Sequence, residues 1–309
     1  MASLRWDWKG YPAMTGFLFA AVVVAWGFTW YAIKMQFGPV SAEVSILWRF
    51  MLAAAVLWIG LAATGRLQRV RWRQHGWFAA MGFSLFGLNF VLIYNASGHI
   101  ASGVVSVVFT LATIFNALNQ WFFLHKVPTL RTIAGSTFGI SGMVLLFGEA
   151  FAKVDATGGT ALGIGLALAG TYVFSLGNLV STRATADGTD LPNAIARGMT
   201  WGAAFLGVLT MVRGLPLVIE LTPGYLLSLI YLAIPGSVLG FFAYLSLVAR
   251  IGADRAAYAT VLFPVIALAV STLLEGYMWT PWALAGLPLV LLGNLVIFYK
   301  APQTLWSRR

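Results

Sequence analysis

The chain has 309 residues, of which 60% are hydrophobic and only 9% are charged. In a water-soluble domain about a quarter of the residues are charged. This composition therefore excludes a water-soluble protein and predicts one embedded in a lipid bilayer. The formal net charge is +10, but the Lys and Arg residues are scattered between apolar stretches, which argues against nucleic acid as a partner. The chain contains no cysteine, which excludes disulfides and cysteine metal sites.

Ten apolar segments follow one another along the chain, and each is long enough to form a membrane-spanning helix. The predicted spans are residues 15–36, 43–64, 76–97, 101–124, 131–149, 160–182, 193–213, 224–248, 255–275 and 281–299. Most Lys and Arg residues fall on one side of this arrangement, whereas Lys34, Lys153 and Arg213 fall on the other. Because cytoplasmic loops are enriched in positive charge, both termini are predicted in the cytoplasm.

The first and third spans carry candidate ligand contacts. Trp26 and Trp30 in the first span could form flat apolar walls, although aromatic residues also serve in helix packing and at the membrane interface. Asn89 near the middle of the third span and Tyr94 closer to its end could contact a solute or cross-link helices. Arg49 lies deeper inside a span than the other cations, and it is assigned a structural role, either snorkelling or binding a backbone carbonyl.

The fourth span carries a stripe of polar residues that recur at steps of three or four and therefore share one helix face. The stripe consists of Ser102, Ser106, Thr110, Thr113, Asn116 and Gln120. Lipid cannot hydrogen-bond with these side chains, so the stripe faces either other helices or a cavity, and both alternatives are open. The two amides favour a cavity. The predicted substrate contacts are Ser106, Thr110, Thr113 and Asn116.

The second half of the chain contributes a second polar face. Ser175 and Asn178 share one face of the sixth span, and Tyr172 lies one residue away from it. Tyr244 in the eighth span and Tyr258 in the ninth are further candidates. The sequence therefore predicts that several helices from both halves surround one substrate cavity.

The candidate hinges are a proline and a pair of glycines. Pro264 near the centre of the ninth span removes a backbone donor, which permits a bend or merely a packing kink. Gly236 and Gly240 form a GxxxG pair, which allows close helix contact and also sliding. The chain lacks Gly-x-Ser-x-Gly, His-Glu-x-x-His and a phosphate-binding glycine loop, so no enzymatic activity, metal or cofactor is predicted.

Several short motifs carry a resemblance to a known family through their order and spacing. They are Trp26-Gly27-Phe28-Thr29-Trp30, Ile33-Lys34, Arg49-Phe50, Tyr244, Ile251-Gly252-Ala253, Leu262-Phe263-Pro264-Val265, Glu275 and Gly286. With these motifs the chain resembles the drug/metabolite transporter superfamily in its ten-helix EamA-repeat form, and it is most like the bacterial aromatic amino-acid exporters. The first half departs from the pattern, because Ala112 to Ile114 occupy the proline position and His125 stands near the usual glutamate.

The resemblance implies an all-α integral membrane protein with ten transmembrane helices in a 5+5 inverted-topology repeat around a central cavity. The odd number of spans in each half agrees with this, because equivalent helices must then cross the bilayer in opposite directions. The predicted repeats are residues 1–150 and 151–309. The resemblance also implies export by alternating access across the bacterial inner membrane, and we expect the monomer to be the functional unit.

Charge within the spans limits the substrate. No carboxylate is expected at mid-depth, whereas an exporter of drug cations usually needs a buried acid. Phosphorylated solutes would favour several cavity cations, and Arg49 alone is weak support for them. The predicted substrate is a neutral or zwitterionic small molecule, namely an aromatic or large neutral amino acid or a related metabolite, with its backbone groups toward the amides of spans four and six. A broad-specificity drug and metabolite exporter and, less favoured, a phosphorylated-solute exchanger are the alternatives.

Overall fold

The computed structural model describes residues 12–152, 159–251 and 258–298, and within these ranges every regular element is a helix. Each of the ten predicted apolar spans overlaps one helix. The helices are Pro12–Lys34 (α1), Ala42–Ala63 (α2), Trp72–Ser97 (α3), Ser102–Leu124 (α4), Leu130–Ala152 (α5), Gly159–Ala184 (α6), Leu191–Val212 (α7), 223–251 (α8), Tyr258–Leu274 (α9) and Pro281–Phe298 (α10).

Seven of these helices are long and apolar enough to cross a bilayer, namely α1 to α4, α6, α7 and α8. The remaining three contain shorter apolar stretches, Leu130–Leu146 in α5, Leu262–Leu274 in α9 and Pro281–Ile297 in α10. The helices make the chain a multi-pass, all-helical membrane protein, because a helix satisfies its own backbone hydrogen bonds inside lipid.

Two helices contain π-helical stretches. In α3 the stretch is Gly82–Leu88, and in α8 it is Ile234–Leu239. Stretches of this kind widen the helix locally and occur often at functional sites. Here they lie in the third helix of the first half and the third helix of the second half.

Helix α4 is interrupted near its middle, between Ser102–Phe109 and Ala112–Leu124. At the interruption the amide of Thr110 donates to the carbonyl of Val107, three residues back, and the Thr110 hydroxyl donates to the same carbonyl at 2.7 Å. The equivalent region of α9 contains Pro264, yet α9 is helical on both sides of the proline. The two central helices therefore differ in local geometry.

Helices α5 and α10 pack along a seam of glycines. A Cβ added to Gly135 would lie 2.4 Å from the carbonyl oxygen of Gly293, and one added to Gly142 would lie 2.6 Å from that of Gly286. These distances leave no room for a side chain, so the close approach of the two backbones requires glycine. The seam joins the two halves of the chain.

The pairs of helices in contact follow a symmetric pattern. Helix α1 packs on α8 and α9, and α6 packs on α3 and α4, which are the same relations with the halves exchanged. Contacts of α2 with α7, α4 with α9 and α5 with α10 pair helices of equal rank. The helices around the centre of the bundle therefore come from both halves.

Candidate functional site

A cavity of about 640 Å³ lies between α1, α2, α3, α4, α6, α8 and α9. At one end of the bundle its lining residues Trp30 and Ile33 are buried, and this end, which contains Lys34, is called the Lys34 end. At the opposite end the lining residues Thr182 and Lys126 are exposed, and this end is called the Lys126 end. The cavity thus opens toward the Lys126 end and is closed toward the Lys34 end.

Aromatic rings form much of the apolar wall of the cavity. Trp30 stacks on Phe263 of α9, with ring centroids 5.9 Å apart, and meets Phe109 of α4 edge to face at 5.2 Å. Phe109 in turn lies 4.6 Å from Phe174 of α6. These rings connect four helices and offer flat apolar surfaces to a ligand.

A second aromatic group surrounds Trp26 on the side of α8. The ring of Trp26 lies 5.3 Å from that of Tyr244 and 5.6 Å from that of Phe241. Its indole Nε1 donates to the carbonyl of Gly236 at 3.2 Å, and a Cβ added to Gly240 would lie 2.5 Å from the same nitrogen. The predicted hinge glycines therefore make room for Trp26 and hold it at the π-helical stretch of α8.

Helices α4 and α6 form a polar wall whose groups bond with one another. The Oδ1 atom of Asn116 accepts from the Ser175 hydroxyl at 2.8 Å and from Asn178 Nδ2 at 3.4 Å. Asn119 Nδ2 donates to the Ser175 hydroxyl at 2.8 Å. Thr113 lines the cavity beside them. The wall is a network of neutral hydrogen-bonding groups, which suits an uncharged or zwitterionic ligand.

Arg49 of α2 lines the cavity although its residue is only 2% exposed. Its Nε and Nη2 atoms both donate to the Ser237 hydroxyl, at 3.3 and 3.2 Å, and its guanidinium carbon lies 4.4 Å from the ring centroid of Phe90. The sequence indicated snorkelling or a bond to a carbonyl. Instead, the residue is held inside the bundle by a hydroxyl and an aromatic face.

A cluster of polar contacts closes the Lys34 end. Glu275, which follows the last residue of α9, forms an ion pair with Lys34 at 2.9 Å. It also accepts from the Ser102 amide at 3.0 Å, from the Ser102 hydroxyl, and from the Ser271 hydroxyl at 3.1 Å. Burial alone would raise the pKa of Glu275, but the bonds from Ser102 and Lys34 outweigh burial and hold this pKa below its ordinary value. The cluster ties α1, α4 and α9 together.

Most of the predicted substrate contacts and one predicted hinge residue line the cavity. They are Trp26, Trp30, Asn89, Thr110, Thr113, Asn116, Ser175, Asn178, Tyr244 and Gly236. The sequence did not predict four other lining residues, namely Asn119, Phe109, Phe174 and Phe263. Asn119 is next to Gln120 in sequence and therefore lies beside the polar stripe of α4. The three phenylalanines belong to no polar pattern. A lining phenylalanine cannot be distinguished from a lipid-facing one by composition.

Three predicted substrate contacts lie away from the cavity. Tyr94 is buried and donates its hydroxyl at 2.8 Å to a glutamine in the connection between α1 and α2. Ser106 is buried and bonds to a carbonyl three residues back in its own helix. Tyr172 is 40% exposed, and its ring meets that of a phenylalanine of α4. Of the remaining predictions, the side chain of Tyr258 lies outside the described residues, and Pro264 lies within α9.

A model of the EamA-like transporter family matches residues 14–148 and matches a second time at residues 157–299. The chain belongs to the EamA-like transporter family. The match confirms the resemblance to the drug/metabolite transporter superfamily and agrees with the absence of catalytic motifs in the sequence.

Several relatives of this EamA-like transporter share its length. It is 27% identical to a probable terminal-alkyne amino-acid exporter of Streptantibioticus cattleyicolor, over 89% of this chain and 90% of the relative. It is 25% identical to a probable amino-acid metabolite efflux pump of Salmonella typhimurium, over 90% of this chain and 92% of the pump. It is also 26% identical to an uncharacterized transporter of Archaeoglobus fulgidus, over 91% and 97% of the two chains.

A solved crystal structure has the same fold as this EamA-like transporter. The two superpose with a TM-score of 0.64 at 18% sequence identity, and the superposition covers 96% of this chain and 98% of the other. At this identity the likeness establishes the fold alone.

Proposed function

We propose that this EamA-like transporter exports aromatic or large neutral amino acids and related metabolites across the bacterial inner membrane by alternating access. The observation that carries the proposal is the two-sided cavity, in which the polar network of α4 and α6 faces the aromatic rings around Trp26 and Trp30. A ligand with a polar head and a large apolar side chain fits both surfaces. The two relatives named as an amino-acid exporter and an amino-acid metabolite efflux pump support this substrate class.

We also propose that the ten helices all cross the membrane as a 5+5 inverted repeat, with residues 1–150 and 151–309 as its halves. Three observations support this arrangement: the double family match, the π-helical stretches in α3 and α8, and the helix contacts that are preserved when the halves are exchanged. The cavity lies within one chain, which supports a monomer as the functional unit.

The direction of the cavity agrees with export. The distribution of Lys and Arg predicts that both termini, and with them the Lys126 end, face the cytoplasm. A cavity open at this end loads substrate from the cytoplasm. Release then requires closure of the Lys126 end and separation of the Lys34–Glu275 contact at the opposite end.

The charged residues that line the cavity favour some of the alternative substrates over others. Among the described residues no carboxylate lines the cavity, so a cationic drug would lack a counter-ion there. The aromatic wall would still accommodate uncharged drugs, which keeps broad-specificity efflux as the second candidate. Exchange of phosphorylated solutes is less favoured, because the cations on the described lining are Arg49 and the exposed Lys126.

A transport assay tests the proposed function. The purified protein is reconstituted into lipid vesicles, and flux of labelled phenylalanine is compared with flux of tetraphenylphosphonium and of a sugar phosphate, with protein-free vesicles as the control. We expect saturable phenylalanine flux and little flux of the other two solutes. Preference for the cation or for the sugar phosphate would contradict the proposal.

A further inference from the structure

Three buried polar atoms on the cavity wall have no hydrogen-bond partner among the described residues. They are Nε1 of Trp30, Nη1 of Arg49 and Oδ1 of Asn89, and all three residues line the cavity. Leaving a buried polar group without a partner costs free energy, and native proteins satisfy nearly all such groups. Three unsatisfied atoms around one cavity therefore indicate a ligand that supplies their partners.

The three residues lie at a similar depth. Each lies within about 12 Å of the Lys34 end of its own helix, at a rise of about 1.5 Å per residue. They come from three helices of the first half: Trp30 from α1, Arg49 from α2 and Asn89 from α3. Together they form the closed end of the cavity, farthest from the Lys126 opening.

Arg49 is the buried cation on the described cavity wall, and it therefore needs an anionic partner. The polar groups near its guanidinium are neutral, namely the Ser237 and Tyr94 hydroxyls. None of the described ion pairs includes Arg49. A buried cation without a counter-ion is unfavourable, and the planar guanidinium matches a carboxylate in geometry and charge.

Arg197 of α7 is a second buried arginine, and protein groups accept its hydrogen bonds. Arg197 occupies the corresponding position of the second half and does not line the cavity. Its Nη1 donates to the Asn193 carbonyl and to Asn193 Oδ1, both at 3.0 Å, and its Nη2 donates to the Gln68 carbonyl. Protein acceptors satisfy both of its terminal nitrogens, whereas Arg49 has one terminal nitrogen free.

The polar wall of α4 and α6 has less need of a ligand. Asn116, Ser175 and Asn119 already bond with one another, so a ligand there would have to replace existing bonds. At the Lys34 end the available donors are Trp30 Nε1 and Arg49 Nη1, and the available acceptor is Asn89 Oδ1. Two donors and one acceptor match the carboxylate and the ammonium group of an α-amino acid.

Building on the proposed function, we propose that the carboxylate of the exported amino acid binds Arg49 and Trp30, and that its ammonium group donates to Asn89. The substrate side chain then extends toward the rings of Phe109 and Phe174. Because Arg49 binds the carboxylate, only solutes with a free carboxylate are transported well. The polar head lies at α1 to α3 rather than at the amides of α4 and α6.

The first test uses the unchanged protein in vesicles that carry labelled phenylalanine. Unlabelled phenylalanine, phenylalaninamide and phenethylamine compete for transport, and the last two lack a carboxylate. We expect both to compete at least about 30-fold more weakly than phenylalanine, because each leaves the buried Arg49 without its partner. Equal competition would overturn this inference and leave amino-acid export standing, whereas absence of any amino-acid flux would overturn the proposed function itself.

The second test compares Arg49→Gln with Arg197→Gln. The measured quantity is the ratio of competition by phenylalanine to competition by phenylalaninamide, which does not depend on how much folded protein is present. We expect Arg49→Gln to bring this ratio close to one and Arg197→Gln to leave it unchanged even where the yield falls. A wild-type ratio in Arg49→Gln would contradict the assignment.

Discussion

Asn116 joins α4 to α6 inside the cavity. Its side-chain oxygen accepts two hydrogen bonds from α6, and the residue also contributes to the lining. A neutral amide in this place keeps the wall polar without adding charge, which is the environment expected for a zwitterionic or neutral ligand.

We predict that Asn116→Leu lowers phenylalanine transport about tenfold or more, because it leaves two donors of α6 unsatisfied and makes the wall apolar. Membrane insertion should remain, since leucine favours the bilayer. Transport and protein yield in the membrane are both measured. The control is Thr171→Ala on α6, because the Thr171 hydroxyl donates to a carbonyl of its own helix. Normal transport in Asn116→Leu and in Thr113→Leu would mean that the stripe serves helix packing alone.

Glu275 is the residue through which pH affects the closed end. Its lowered pKa means that the charged form is stabilised in the folded protein, so this contribution to stability is complete above the ordinary value of 4.5. The contribution disappears as the pH falls through the lowered pKa. We therefore predict that Glu275→Gln lowers the thermal unfolding temperature at pH 7 and that the difference from wild type shrinks below about pH 4.5. A difference that is the same at both pH values would contradict the account.

At the scale of helices, the positions of the elements are predictable from the sequence. Long apolar runs separated by charged or glycine-containing connections predict helices, because a helix satisfies its backbone hydrogen bonds within the segment. Every predicted span overlaps a helix of the structure. The π-helical stretches and the interruption of α4 at Thr110 are not predictable in this way. They depend on which helix packs beside which, and a single sequence does not contain that information.

The candidate site is predictable to a lesser degree for a related reason. Periodicity assigns Ser106 and Asn116 to one face of α4, but the first packs inside the protein while the second lines the cavity. The role of Arg49 depends on which residues surround it in three dimensions. A cation in an apolar span predicts a structural or functional role for that residue. That Arg49 Nη1 has no hydrogen-bond partner among the described residues follows only from the three-dimensional structure.

The glycine seam between α5 and α10 leads to a prediction about stability. We expect Gly142→Ala to destabilise the protein by about 1–3 kcal/mol, because the added methyl would lie 2.6 Å from the Gly286 carbonyl oxygen and the helices would have to separate. The matched control is Gly207→Ala in α7, where nothing lies within 4 Å of the added atom. Thermal unfolding in detergent compares the two. An equal effect of both substitutions would contradict close packing at the seam.

At the scale of the whole molecule, two similar halves differ in their chemistry. The central helix α4 contributes amides to the cavity, whereas from α9 the described lining residue is Phe263. Arg49 lines the cavity with a free nitrogen, whereas its counterpart Arg197 is satisfied by protein groups. The symmetric packing of the two halves supports alternating access. The polar side chains that line the cavity are concentrated on helices of the first half and on α6.

Counterflow tests the central claim, which is that the cavity carries an amino acid from one side of the membrane to the other. Vesicles containing the protein are loaded with unlabelled phenylalanine and diluted into medium with a trace of labelled phenylalanine. Because a carrier with one alternating site exchanges internal for external substrate, we predict a transient accumulation of label above equilibrium, which forms about tenfold or more slowly in Asn116→Leu. Entry of label only to equilibrium, or accumulation that does not require internal phenylalanine, would contradict the account.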